Sequence, residues 1–222
     1  LISYANKNKS IVACLVEKNN LKSNYIKNRI KDKKLILRTQ FIKKFLSLMP
    51  KGSKIISTTG YTSRELMELQ EESKRNDIKA FYMVGGMGHS SSVASGYSIN
   101  FKKQVFCLDG DGSILMHLGA LRTIGYLKNK SFKHIILNNN SHESVGGQTT
   151  TAGEIDFKKL SLSVGYKKFF KISNNSNLSS IIKKFIKSKG PSLLEVQIKN
   201  GTMKNLSRPK NLIEIKEKFM VN

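Results

Sequence analysis

Two short polar motifs each follow an apolar run: Gly110-Asp111-Gly112-Ser113 after Val105-Phe106-Cys107-Leu108, and Asn138-Asn139-Asn140-Ser141 after His134-Ile135-Ile136-Leu137. A carboxylate and a side-chain amide are both hard oxygen donors, and a loop carbonyl two residues beyond the amide can add a third, so the pair has the chemistry of an Mg²⁺ site. Glycines at a strand-to-helix turn let the backbone approach an anion closely, and the first amides of the following helix favour phosphate oxygens. In that reading Asp111 ligates the cation and the Ser113 hydroxyl meets a diphosphate. Taken singly, each motif is an ordinary Asp-Gly or Asn-rich turn. In order, each after a strand and separated by one helix and one strand, they form a specific pair.

The elements that must position them follow from hydrophobic periodicity. Strands are predicted over 54–57, 81–84, 104–108, 133–137, 167–172 and 192–198. Helices are predicted over 35–49, 62–75, 90–99, 114–126, 156–164 and 178–187. Such alternation specifies an α/β fold, a doubly wound parallel sheet covered on both faces. Ligands bind such sheets outside the carboxyl ends of the strands. The loops Thr58-Thr59-Gly60, Gly85-Gly86-Met87-Gly88, 109–113 and 138–147 all fall there, which makes one rim a site. Upstream, 10–16 (SIVACLV) reads as a strand and the Lys/Asn-rich 17–34 as a linker. Residues 1–34 are therefore expected to be the tail of a preceding domain, with the main domain over 35–222.

Composition narrows the function classes. The 222 residues suffice for one full α/β domain, and no apolar run of about 18 residues exists to span a membrane. A soluble, cytoplasmic protein is expected, with Cys14 and Cys107 as buried reduced thiols inside strands. The net charge of +24 would suit nucleic acid, but the lysines are spread along the whole chain, only six residues are Arg and none is Trp. No basic stripe interleaved with aromatics is present for base stacking, which disfavours that partner. The positive field would instead steer a small anionic substrate. Of the four histidines, His89 and His142 fall on the rim and are candidates for substrate contact or proton relay. The Gly/Thr-rich 145–153 has the composition of a lid.

The run GDGSILMHLGALRTIGYLKNKSFKHIILNNNSHESVGGQ, with TTGYTSREL (58–66) and VGGMGHSSSVASG (84–96), resembles the diphosphate-binding half of the thiamine diphosphate (ThDP) decarboxylases. Within them it is similar to phosphonopyruvate decarboxylase, with the sulfopyruvate decarboxylase β subunit close behind. The resemblance covers about 35–200, and the SHESVGGQ run points to this branch. It implies ThDP and Mg²⁺ as cofactors. Asp111 and Asn139 would be side-chain ligands of the metal, with Ser141 giving its backbone carbonyl; Gly110, Gly112 and Ser113 would contact the diphosphate. Gly85 would present a carbonyl to the cofactor's 4′-amino group, Met87 an apolar wedge beneath its rings, and Thr59-Gly60 would approach the diphosphate and aminopyrimidine.

The activity implied is that of a carboxy-lyase: decarboxylation of 3-phosphonopyruvate, a small 2-oxo acid, to phosphonoacetaldehyde and CO₂ in phosphonate biosynthesis. Sulfopyruvate, giving sulfoacetaldehyde, is the alternative. The family's activating Glu belongs to a pyrimidine-binding domain, and no Glu of this sequence stands in a matching context. The chain is therefore expected to act with an upstream domain or an α subunit, in a homo- or hetero-oligomer, and to be inactive alone. Two other readings stand beside this one: a basic nucleic-acid-binding α/β domain, and a regulatory subunit that binds ThDP without turnover.

Overall fold

A computed structural model describes residues 1–17, 20 and 35–221. Its elements in chain order are α1 (Ile2–Asn8), α2 (Arg38–Leu48), β1 (Lys54–Ser57), α3 (Tyr61–Ser73), β2 (Lys79–Tyr82), α4 (Ser90–Ile99), β3 (Val105–Gly110), α5 (Asp111–Met116) and α6 (Gly119–Leu127). Then follow β4 (Phe132–Asn138), a single 3₁₀ turn (Thr151–Glu154), α7 (Phe157–Ser163), β5 (Lys168–Ile172), α8 (Leu178–Lys187), β6 (Ser192–Gln197) and α9 (Leu212–Met220). All six strands are parallel, in the order β2-β1-β3-β4-β6-β5.

Alternation along each strand sends side chains to two cores. Phe106 and Leu108 of β3 join Phe41 and Phe45 of α2, Leu66 of α3 and Phe185 of α8 on one face. Val105 and Cys107 of the same strand join Ala94 of α4, Ile124 of α6, Phe157 of α7 and Phe219 of α9 on the other. Strands buried on both faces favour continuous apolar sequence, which β3 has over 105–108 and β4 over 135–137. The chain leaves β1 for β2 on one side and then returns to place β3 on the other, so the connections after β1 and β3 diverge. The crevice opens where they part.

Several expectations are corrected. Residues 10–16 form no strand, and Ile11, Leu15 and Val16 are exposed; the preceding segment is α1, which buries nothing. Among the described residues no strand lies alongside to take up the backbone hydrogen bonds of 10–16, so β propensity alone does not order it. For the same reason Cys14 is exposed, whereas Cys107 is buried as expected. Most of the expected linker, 18, 19 and 21–34, lies outside the described residues. The helix expected over 114–126 is two, α5 and α6, broken at His117-Leu118. His117 packs against His89 in a tilted arrangement with ring centroids 4.2 Å apart, and Gly119, a poor helix former, opens α6. α9 was not expected, although Asn211 and Glu214 carry its cap: Asn211 Oδ1 accepts from the Glu214 amide at 3.3 Å. Its far end is held by Lys54, whose Nζ donates to the carbonyls of Phe219 and Val221 at 2.5 and 2.6 Å.

A second buried lysine, Lys133 of β4, donates to the Ser188 carbonyl and to the hydroxyls of Ser188 and Ser192 at 3.1 and 3.2 Å. Burial brings its ammonium down to about 8. Between that value and the ordinary lysine range the unfolded chain binds the extra proton, so this group makes stability rise as pH climbs from about 8 towards 10. Lys133→Met should therefore stabilise the protein at pH 7 and flatten that rise relative to wild type, measured by denaturant unfolding at pH 7, 8, 9 and 10. A parallel pH dependence in the two proteins would contradict the assignment.

Candidate functional site

Asp111 opens α5 directly after β3, and 3% of it is exposed. Its Oδ2 accepts from the Thr150 hydroxyl at 2.5 Å. Burial pushes the carboxyl up from its ordinary range, and the Thr150 hydroxyl with the amides of Asp111, Asn139 and Gly112 pulls it partly back. Among the described residues no Lys, Arg or His forms an ion pair with it. A buried carboxylate without a counter-charge is costly, and a bound cation would remove that cost.

Asn139 follows β4, with its Oδ1 accepting from the Ser141 amide at 3.2 Å and its Nδ2 donating to Glu143 at 3.2 Å. Ser113, two residues into α5, accepts twice: from Thr58 Oγ1 at 2.9 Å and from the Gly88 amide at 3.1 Å. With both lone pairs taken, the hydroxyl's remaining capacity is its proton, suited to an anionic oxygen in the cavity. Gly112 lies under the His142 ring: a Cβ there would come 2.6 Å from His142 Cε1 and 3.3 Å from Met87 Cε. A side chain at 112 would therefore displace the His142 ring.

One cavity is lined by Thr59, Met87, Gly110, Asp111, Gly112, Ser113, Asn139, Ser141 and His142, bringing nine of the twelve sequence-derived candidates together. The other three lie apart from its lining. Gly60, with φ +96°, backs onto Ser144, whose Oγ is 3.1 Å from where its Cβ would stand. Gly85, with φ +73°, is exposed with open space beside it. His89 precedes the first turn of α4, is exposed and packs against the tilted His117 ring, outside the cavity lining. Sequence reasoning missed Arg38, Tyr61 and Thr62, which also line it. Arg38 is separated from Glu143 by 105 residues and carries no motif of its own.

The 145–153 segment is tied down. The Ser141–Thr149 bridge, His142 N–H to the Gln148 carbonyl at 2.8 Å and Gly147 N–H to the His142 carbonyl at 3.0 Å close a tight hairpin. Thr150 then reaches Asp111, so the stretch buttresses the acid. Behind the turn a buried polar chain supports β3: Asp109 Oδ1 accepts from the Gly110 amide at 2.9 Å, and His134 links Asp109 Oδ2 (3.4 Å) to the Tyr166 hydroxyl (2.9 Å). Burial drives the Tyr166 hydroxyl well above its ordinary value, which keeps it neutral.

Residues 58–196 match the family described as thiamine pyrophosphate enzyme, C-terminal TPP binding domain. The chain belongs to that family. It is 33% identical over 173 residues to a phosphonopyruvate decarboxylase of Streptomyces viridochromogenes, covering 78% of this chain and 42% of that protein. It is 39% identical over 117 residues to a sulfopyruvate decarboxylase subunit beta of Methanocaldococcus jannaschii, covering 53% of this chain and 60% of the relative. A third relative, the corresponding subunit of Methanococcus maripaludis, is 31% identical over 75% of this chain and 86% of its own length. The chain thus spans less than half of the phosphonopyruvate decarboxylase that it matches.

The TPP-binding family and the site chemistry agree. The Asp111 carboxylate and the Asn139 carboxamide are hard oxygen donors that suit a hard cation, and the Ser113 hydroxyl suits a phosphate oxygen. No helix among the described residues is long and apolar enough to cross a membrane.

If the Asp111 carboxylate is the uncompensated charge of the site, Asp111→Asn should raise the melting temperature of the metal-free protein. The expected gain is about 2–4 °C, the shift that about 1 kcal/mol gives in a chain this size. Mg²⁺ with ThDP is expected to raise the wild-type melting temperature further, and the same substitution should cancel that rise. A fall in the metal-free melting temperature would show that the carboxylate is already satisfied within the protein.

Proposed function

We propose that this chain supplies the cation- and diphosphate-binding half of a ThDP- and Mg²⁺-dependent 2-oxo acid decarboxylase acting on 3-phosphonopyruvate, a step of phosphonate biosynthesis. The observation that carries the reading is the buried Asp111 carboxylate, unpaired among the described residues, beside Asn139 and the proton-presenting Ser113. Its support is a chain 33% identical to a phosphonopyruvate decarboxylase across these residues.

When bound, ThDP supplies the electron sink that lets a 2-oxo acid lose CO₂. The residues of this chain hold and orient. Asp111, Asn139 and the Ser141 carbonyl hold Mg²⁺; Ser113, positioned by Thr58, donates to a diphosphate oxygen; Gly110 and Gly112 keep the backbone open to it. Thr59-Gly60, Gly85 and Met87 serve the cofactor's rings, Gly85 through its carbonyl and Met87 as the wedge. His142, which lines the cavity over Gly112, meets the substrate's anionic end.

The activating carboxylate comes from a pyrimidine-binding half. The acids that line the cavity are Asp111 and Glu143; the first serves the cation and the second is held by Arg38 at 2.6 Å. That half is either an upstream domain, with residues 1–34 as its tail, or an α subunit. The observation that speaks for the second arrangement is the coverage of 86% of a sulfopyruvate decarboxylase β subunit, and in that alternative sulfopyruvate would be the substrate. Either way the working enzyme is an oligomer of the cytoplasm, a compartment that suits the free thiols Cys14 and Cys107.

The intact natural protein, with any partner subunit it requires, is the material to assay. With ThDP and Mg²⁺ it should release CO₂ and phosphonoacetaldehyde from phosphonopyruvate with a higher kcat/KM than it shows on sulfopyruvate, and chelation of the metal should stop turnover. The reverse preference would install the sulfopyruvate reading. Aldehyde from neither acid would overturn the decarboxylase assignment.

A further inference from the structure

Glu143 follows His142 in the loop after β4, and its carboxylate accepts three hydrogen bonds. Oε2 takes one from Arg38 Nη2 at 2.6 Å and one from Asn139 Nδ2 at 3.2 Å; Oε1 takes the Gly201 amide at 2.6 Å. Arg38, only 4% exposed, spends its other nitrogen on the fully buried Glu65, with Nη1 3.3 Å from Oε2. Glu65 in turn accepts from the Met203 amide at 2.9 Å. One guanidinium thus stands between two carboxylates, only one of which touches the cation loop.

The contact with Asn139 has a chemical consequence. The two ends of a carboxamide are nearly equal in size, but only the oxygen can ligate a cation; the NH₂ end would repel it. An ionised carboxylate accepts and never donates, so the end of Asn139 that faces Glu143 is the NH₂. The oxygen is thereby turned to the other side, where it meets the Ser141 amide. Arg38 holds the Glu143 carboxylate against β4's loop and offsets part of its charge, a geometry in which a forked guanidinium is favoured over lysine.

We propose that Glu143, anchored by Arg38, is a positioning residue that fixes Asn139 with its oxygen towards the cation. The inference rests on the reading of Asp111, Asn139 and Ser141 as the Mg²⁺ site. Outer partners of metal ligands contribute about 10–100-fold to metal affinity.

The test titrates Mg²⁺ against the ThDP-induced thermal shift of the intact natural protein at saturating ThDP. Glu143→Gln should raise the half-saturating Mg²⁺ by about 10-fold or more. Glu65→Gln disturbs the same guanidinium without touching Asn139; it should lower the metal-free melting temperature and leave the Mg²⁺ midpoint within about twofold of wild type. A second comparison uses Asn139→Asp, whose two side-chain ends are both oxygens, so that orientation no longer matters. Adding Glu143→Gln to it should change the midpoint by less than about twofold, against the 10-fold in the Asn139 background. A wild-type midpoint in Glu143→Gln, or an equal rise in Glu65→Gln, would overturn the positioning role while the cation site stands. Wild-type protein that binds ThDP without any divalent metal would overturn the cation reading, and this role with it.

Discussion

A carboxylate held 3% exposed at the mouth of a parallel sheet, with only neutral donors against it, is the constraint around which this chain is arranged. Its position follows from topology. The connection after β1 and the one after β3 leave in opposite directions, and Asp111 is the first residue of the helix that starts in the gap. A hydroxyl and three amides soften the cost of burying the charge but do not cancel it, since the carboxyl stays above its ordinary range. The protein keeps at this point an energetic deficit that a cation can fill. The surrounding oxygens define which kind of cation: hard, and content with carboxylate, amide and carbonyl.

Rigidity around that acid comes from three separate polar chains. Thr58 and Gly88 converge on Ser113, drawing the ends of β1, the loop before α4 and the start of α5 together. Asp109, His134 and Tyr166 brace the turn from inside the sheet, where no water competes and an unsatisfied group would be costly. Arg38, Glu143 and Glu65 brace it from the other side and bind in the residues at 201–203. Each chain consists of groups whose hydrogen bonds are made within the protein. The groups with capacity left for a ligand are the Ser113 proton and the remaining lone pairs of the Asp111 and Asn139 oxygens.

The parts legible in the sequence were those set by local rules. The β1, α4 and α8 boundaries follow from periodicity, and the two motifs after β3 and β4 reach one rim because parallel strands put all their carboxyl ends on the same edge. What sequence reasoning missed depends on partners distant in the chain. Arg38 meets Glu143 across 105 residues, and no local pattern marks either as half of a pair. His89 reads as a rim histidine because it follows a glycine-rich loop, yet the break between α5 and α6 delivers His117 to it and draws it away. The apolar 10–16 run has strand propensity, but propensity becomes a strand only beside another strand, and the described residues offer it none. Asn211 and Glu214 show the converse: a readable cap fixed the start of α9, whose packing through Phe219 and the Lys54 donor then followed.

The charge distribution bears on how an anionic ligand can reside here at all. The chain carries +24, yet the charged side chains lining the cavity are one arginine, Arg38, and two acids, Asp111 and Glu143. Arg38 is already shared between Glu143 and Glu65. A diphosphate or a 2-oxo acid drawn in by the overall field would meet a local excess of negative charge, at a cost of about 4 kcal/mol for a unit pair 4 Å apart at an effective dielectric of 20. A divalent cation on Asp111 would reverse the sign of that interaction next to Ser113, whose Oγ already accepts from Thr58 and the Gly88 amide. The long-range field and the local site therefore do different work. In that arrangement the lysines would raise the encounter rate for anions, while retention would depend on the cation and the few oxygens that hold it.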